Sequence, residues 1–309
     1  MLSLTASSGS TKIASFEQHK GDNKTEKFIY IKDDSKTKLA EIETNKPKKL
    51  EIFKSFLERD KKMRFNDIEL LTKAYASDLS VPDRLERKYD DAQRYVQESL
   101  KHYLDYPDNV KLNPLVEQPT YRMFVSGLSG SGKSTYIGNF LKHNKPKFIF
   151  LMSPVRDDKA YKHLKPTPVH IDLNSYSQEF EKEFEIEDFP PDSVVILDDT
   201  DTAKDAKMYA MAKIALLERG RHLSVSTIVV SHNPLGGNNK ASVTQLLEAE
   251  YYVIFPKHNK SHAEKLLKRY VGLGQLKSDL VLDTDSRAVL VKKSYPSYFI
   301  GDHTVGTLN

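Results

Sequence analysis

The sequence predicts an α/β fold built on a mostly parallel central sheet, preceded by a small helical region. Three observations carry that prediction. From about residue 120, short apolar runs alternate with helical stretches, as in strands joined by crossover helices. Those runs are continuously apolar rather than alternating, which suits strands covered on both faces. Glycine also divides the chain: of 13, none lies between Gly21 and Gly127, and four fall within Gly127 to Gly138. Such crowding marks a loop whose backbone a side chain would obstruct.

The elements follow in order. Residues 1–48 are rich in Ser, Thr, Lys, Asp and Glu, with one apolar run from Phe28 to Ile31. They read as a flexible polar arm carrying one strand. Residues 49–119 read as a helical accessory region and linker. Leu50, Ile52, Phe53, Phe56 and Leu57 form one stripe, and Asp67, Ile68, Leu70, Leu71, Ala74 and Tyr75 open a second helix. A third helix is predicted from Leu85, Tyr89, Ala92, Val96, Leu100 and Tyr103, started by Ser80, Pro82 and Asp83. Residues 120–309 read as the main domain. Strands are predicted at 122–126, 147–152, 169–173, 193–197, 225–230 and 251–255. Helices are predicted at 134–143, 207–218, 242–248 and 261–270, with a short acidic one at 179–184. The runs 280–282 and 288–291 read as a C-terminal hairpin around residues 283–287.

Composition bounds the function. The chain has 309 residues, 39% hydrophobic and 29% charged, enough for one large or two modest domains at roughly 100–200 residues each. Lys and Arg (47) exceed Asp and Glu (43), giving a net charge of +4. That mild excess permits a polyanion partner without demanding one. The absence of cysteine excludes disulfide scaffolds, thiolate zinc sites and cysteine nucleophiles. No apolar run approaches the roughly 18 residues of a membrane span, and no secretory signal opens the chain. The expectation is a soluble, intracellular protein without a membrane partner.

The glycine cluster carries chemistry. Gly127, Leu128, Ser129, Gly130, Ser131, Gly132, Lys133 and Ser134 fit G-x-x-x-x-G-K-[ST], after an apolar strand and before a helix. In such a loop backbone amides curl around the β-phosphate of a nucleotide. The following helix turns its positive end to the anion. Lys133 supplies a cation for the β- and γ-phosphates, Ser134 a hydroxyl for Mg²⁺, and Thr135 continues the first helical turn. ATP and Mg²⁺ are therefore the expected ligands of a P-loop NTPase.

The strand 193–197 ends in Asp198 and Asp199. An acid at that place holds Mg²⁺ in P-loop NTPases, a role assigned to Asp198. The next acid, Asp199, stands where the attacking water is polarised. Between the loop and these acids lie two strand-like segments, which points to the additional-strand division of the fold. A further strand, 225–230, runs into His232 and Asn233, either of which fits a sensor of the γ-phosphate or the water. Upstream, Arg219 and Arg221 close a helix. Each reads equally as a C-terminal cap or as an arginine finger for a neighbouring subunit.

The order of these motifs resembles the genome-packaging ATPases of poxviruses and other large DNA viruses, within the FtsK–HerA superfamily. The matching pieces are 127–134, 194–199, the arginine segment 219–222 leading into 225–233, and 251–256, so the resemblance covers roughly residues 120–292. It departs from the family at His232, where Gln is common, and at Asp199, where Glu is. The resemblance implies ATP hydrolysis, a homo-oligomeric ring and double-stranded DNA moved through its centre. It further implies capsid or portal proteins as partners, and a place in host cytoplasm or nucleus and in the virion. Apart from it, the basic stretch 256–270, with five Lys/Arg against one acid, reads either as a phosphate-lining surface or as an amphipathic helix with Ala263, Leu266, Leu267 and Tyr270 inward. Two other functions fit the phosphate loop: a P-loop kinase of a small metabolite, and an adaptor that binds ATP as a switch.

Overall fold

A computed structural model describes residues 2–20, 23–32, 46–60, 62–101, 103–106, 110–153, 161–169, 186–200, 206–232 and 240–308. Its main feature is a ten-stranded sheet. The parallel part comprises β6 (Arg122–Ser126), β7 (Phe148–Met152), β8 (Thr167–Val169), β9 (Ser193–Asp198), β10 (Val225–Ser231) and β11 (Tyr251–Ile254). These lie side by side in the order β8-β7-β9-β10-β6-β11. The remaining strands, β12 (Val289–Lys292), β13 (Tyr298–Ile300), β14 (Thr304–Thr307) and β4 (Tyr103–Asp105), continue it antiparallel. Strand β10 sits between β6 and β9, so the inserted strand expected of the additional-strand division is present, supplied from later in the chain.

The continuous apolar runs are explained by cover on both faces. Along β6, Met123 and Val125 belong to one buried cluster and Phe124 to another. Along β9, Val194 and Ile196 face the first, Val195 and Leu197 the second. Each such buried side chain contributes roughly 1.5–3 kcal/mol relative to exposure. The first face is covered by α4 (Lys133–Asn144) through Ile137, Phe140 and Leu141, and by strands from the N-terminus. The second is covered by α5 (Ala206–Arg219), α6 (Lys240–Glu248), α7 (Lys260–Leu266) and α8 (Gln275–Leu282).

The N-terminal arm is more structured than its composition indicates. β1 (Leu2–Ser3), β2 (Thr11–Lys20) and β3 (Asn23–Ile31) join β5 (Asn113–Pro114) in an antiparallel four-stranded sheet ordered β1-β3-β2-β5. An irregularity between Lys12 and Ala14 lets Ile13 and Ala14 both turn inward, and both are buried. The helices α1 (Lys46–Glu58), α2 (Phe65–Ser77) and α3 (Asp83–Lys101) bury their own cluster, with Phe53 stacked on Tyr75 at 4.2 Å between ring centroids.

Two expectations are corrected, and a third is met only at its described end. The run 280–282 is the end of helix α8, capped where Thr284 Oγ1 donates to the Val281 carbonyl at 3.0 Å. The C-terminal hairpin is instead β12 with β13. Tyr103, expected to end the third helix, begins β4 on the edge of the main sheet. The strand expected at 169–173 is observed at Thr167–Val169; residues 170–185, with the acidic helix, lie outside the described residues. Among the described residues no helix is long and apolar enough to cross a membrane.

Candidate nucleotide site

The phosphate loop connects β6 to α4, and its glycines are needed where they stand. A Cβ on Gly127 would fall 2.6 Å from Ser131 Oγ and 2.8 Å from the Phe255 ring. Gly132 has φ +98°, in the left-handed region that side chains disfavour. Leu128, Ser129 and Gly130 form the exposed crest, while Ser131 is buried. Helix α4 starts at Lys133, so Ser134 and Thr135 lie in its first turn with its positive end at the loop.

Lys133 is only 6% exposed. Its Nζ donates to the Gly127 carbonyl at 2.9 Å, the Leu128 carbonyl at 3.1 Å and His232 Nδ1 at 3.0 Å. Burial pulls its pKa below the ordinary lysine value, against the opposing attraction of Asp199 and Asp198. The cation is thus held by neutral acceptors that a phosphate would outcompete.

Strand register brings the other groups to it. Val230 pairs with Asp198, and Ser231 with Ser126, so β9, β10 and β6 end level at one edge of the sheet. That edge, at the C-terminal ends of parallel strands, is where open α/β sheets bind ligands. Asp198 is 5% exposed and accepts a 2.7 Å hydrogen bond at Oδ2 from the hydroxyl of fully buried Tyr161. Asp199 has φ +54° and sets its Oδ1 2.6 Å from His232 Nε2. The imidazole of His232 thus lies between the Lys133 ammonium and the Asp199 carboxylate. Asp199, His232 and Lys133 form one row across the ends of β9 and β10 and the start of α4.

Other candidates lie elsewhere. Arg219 and Arg221 precede β10, at the sheet edge opposite the loop; Arg219 pairs with Glu187 at 3.5 Å and both side chains are about half exposed. Asn233 lies outside the described residues. In the basic stretch, Lys257, Lys260 and Lys268 pair with Asp285, Asp283 and Glu264 at 2.5–2.8 Å, and Ala263, Leu266 and Leu267 are buried. The inward-facing amphipathic reading describes it. Two residues were not anticipated. Tyr161 lies in a lysine-rich stretch with no local signal. Arg287, placed in a presumed hairpin turn, donates from Nε to the Ser131 carbonyl at 3.0 Å.

A strand–loop–helix turn of this form, with an acid on a strand one removed in the sheet, defines a P-loop NTPase of the additional-strand type. Comparison with known proteins narrows this. Residues 109–269 match the family model of the poxvirus A32 protein. The chain is 31% identical over 199 residues to uncharacterized protein V3 of the Sputnik virophage, covering 62% of this chain and 79% of that protein. The chain belongs to the poxvirus A32 family of genome-packaging ATPases.

Among solved structures, the genome-packaging NTPase B204 of Sulfolobus turreted icosahedral virus 2, in complex with AMPPCP, is 14% identical. That match covers 62% of this chain and 98% of B204, with a TM-score of 0.34. ATPases 2 and 3 of EssC from Geobacillus thermodenitrificans are also 14% identical, with a TM-score of 0.39, over 67% of this chain and 43% of theirs. The kinase and adaptor readings give way to the family assignment.

Proposed function

We propose that the chain hydrolyses ATP at this loop to drive double-stranded DNA through a ring of its own copies, with the residues above in definite roles. The observation that carries the reading is the row Asp199–His232–Lys133, because it joins the water-activating acid to the phosphate-binding cation through one imidazole.

The amides of Gly127 to Thr135 and the N-terminus of α4 hold the phosphate chain. Lys133 leaves its loop carbonyls for the β- and γ-phosphates. The hydroxyl of Ser134 and the buried carboxylate of Asp198 are a hard oxygen donor set that would hold Mg²⁺, which would supply charge neutralisation to the nucleotide. Tyr161 positions that carboxylate by occupying Oδ2. Asp199 orients the attacking water and takes its proton. His232 holds Asp199 in place, and when Lys133 turns to the γ-phosphate its Nδ1 loses a partner, so occupancy is sensed at the acid. Asn233 is the alternative sensor. Arg219 and Arg221, on the far edge of their own sheet, suit a finger offered to a neighbouring subunit better than one acting in cis. Capsid or portal proteins are the docking partners such a motor requires.

The test is the ATPase rate of the full chain with and without duplex DNA, together with its native mass. Stimulation by DNA in a multi-subunit species is the expected result. A monomer whose rate ignores DNA would overturn the translocase. For the finger, Arg221→Ala subunits mixed with Lys133→Ala subunits should regain activity that neither has alone; no recovery removes the trans role from Arg221.

A further inference from the structure

We propose that Arg287 is a second phosphate-binding cation of this site, supplied in cis from the antiparallel half of the molecule and gripping the α–β segment of the nucleotide's phosphate chain. The inference rests on the phosphate-loop reading above. Its starting point is contact. Arg287 Nε donates to the Ser131 carbonyl at 3.0 Å, and a Cβ on Gly132 would fall 2.8 Å from Nη2 and 2.9 Å from Cζ. The guanidinium therefore lies flat against the loop, and Gly132 is bare partly to admit it.

The group has capacity to spare. Nε is one of five N–H donors, and among the described residues no carboxylate pairs with the side chain. Nearby cations differ: Lys257 is paired with Asp285 at 2.6 Å and Lys260 with Asp283 at 2.8 Å. An exposed, unpaired planar fork beside a loop built for phosphate matches a bidentate contact with two phosphate oxygens.

The backbone beneath it is fixed. The Arg287 amide donates to Asp302 Oδ2 at 2.7 Å, and the Asp302 amide donates to Ser286 Oγ at 2.8 Å. Ser286 fits only because Gly301 has no side chain: a Cβ there would lie 2.1 Å from its Oγ. Loop and cation are thus mounted on a rigid frame, as a preorganised ligand contact requires.

Position assigns the segment. Lys133 works on the flank shared with Asp198, Asp199 and His232, the reacting end. Arg287 precedes β12, which lies on the side of β6 away from β10 and β9, so it meets the Ser131 carbonyl from the other flank. A contact there is made equally with di- and triphosphate, so it sets affinity and not turnover.

Calorimetric affinities of the full chain for ADP and for a non-hydrolysable ATP analogue test this, with thermal melting of the free protein alongside. Arg287→Ala should weaken both nucleotides about tenfold, with Arg287→Lys between, and leave the melting temperature of the free protein unchanged. Wild-type affinity in Arg287→Ala, a loss confined to the triphosphate, or a lowered melting temperature in the free protein would overturn the proposal alone. Wild-type protein that binds no ADP, or Lys133→Ala that binds it normally, would remove the loop reading and this inference with it.

Discussion

The two halves of the large sheet make different kinds of contribution. In the parallel half, chemistry gathers at strand ends: β6 hands over to the loop, β9 to Asp198 and Asp199, β10 to His232. Parallel strands all finish at the same edge, so residues far apart in sequence arrive together without dedicated connections. The antiparallel half cannot do this, because its strands finish at alternate edges. It supplies one cation, Arg287, and a frame of short contacts through Ser286, Gly301 and Asp302. Damage to the strand-end acids of the first half should therefore be read in turnover, damage to the loop and its lysine in nucleotide affinity as well, and damage to the second half in stability and nucleotide affinity.

The strongest test of that contrast is Lys133→Ala, which should lower nucleotide affinity about a hundredfold or more in calorimetry, since it removes the cation facing the phosphates. Asp199→Asn should bind ATP normally while hydrolysis falls roughly 10²–10⁴-fold, measured as steady-state phosphate release. On the other side, Gly301→Ala forces a methyl against Ser286 Oγ and should cost about 1–3 kcal/mol in denaturant unfolding, with nucleotide affinity falling alongside. An Asp199→Asn protein that loses affinity instead of rate would blur the division. The smallest effect is expected from Tyr161→Phe, about 1 kcal/mol from a lost buried hydrogen bond, seen as a raised magnesium requirement for turnover.

How much the sequence disclosed follows the same division. Phosphate binding needs bare backbone, a cation and a hydroxyl at fixed spacing, so 127–134 announces itself. The acids ending β9 and the His ending β10 are visible for the same reason, since a strand end fixes their place. Tyr161 is invisible because its partner is 37 residues away in sequence and a buried hydroxyl has no local signature. Leu280 to Leu282 was misread because a three-residue apolar run has no period, and helix or strand is decided by what precedes it. The N-terminal sheet was hidden by composition: Ser15 is buried beside Ala14 and Phe16, so polar lettering masked an inward run. Arg287, inside the run 283–287 read as a hairpin turn, carries no local sign of a role, because its importance lies in where the antiparallel strands carry it.

The torsion of Asp199 has a consequence for what evolution can place there. At φ +54° the chain has the handedness that short Asn and Asp side chains tolerate and longer ones resist. Exchanging the aspartate for glutamate would set reach against main-chain ease, so the shorter acid and the twisted peptide belong to one solution. Asparagine is equally at home in that twist, which is why the amide swap changes the charge and the hydrogen bonding of the side chain without disturbing the backbone.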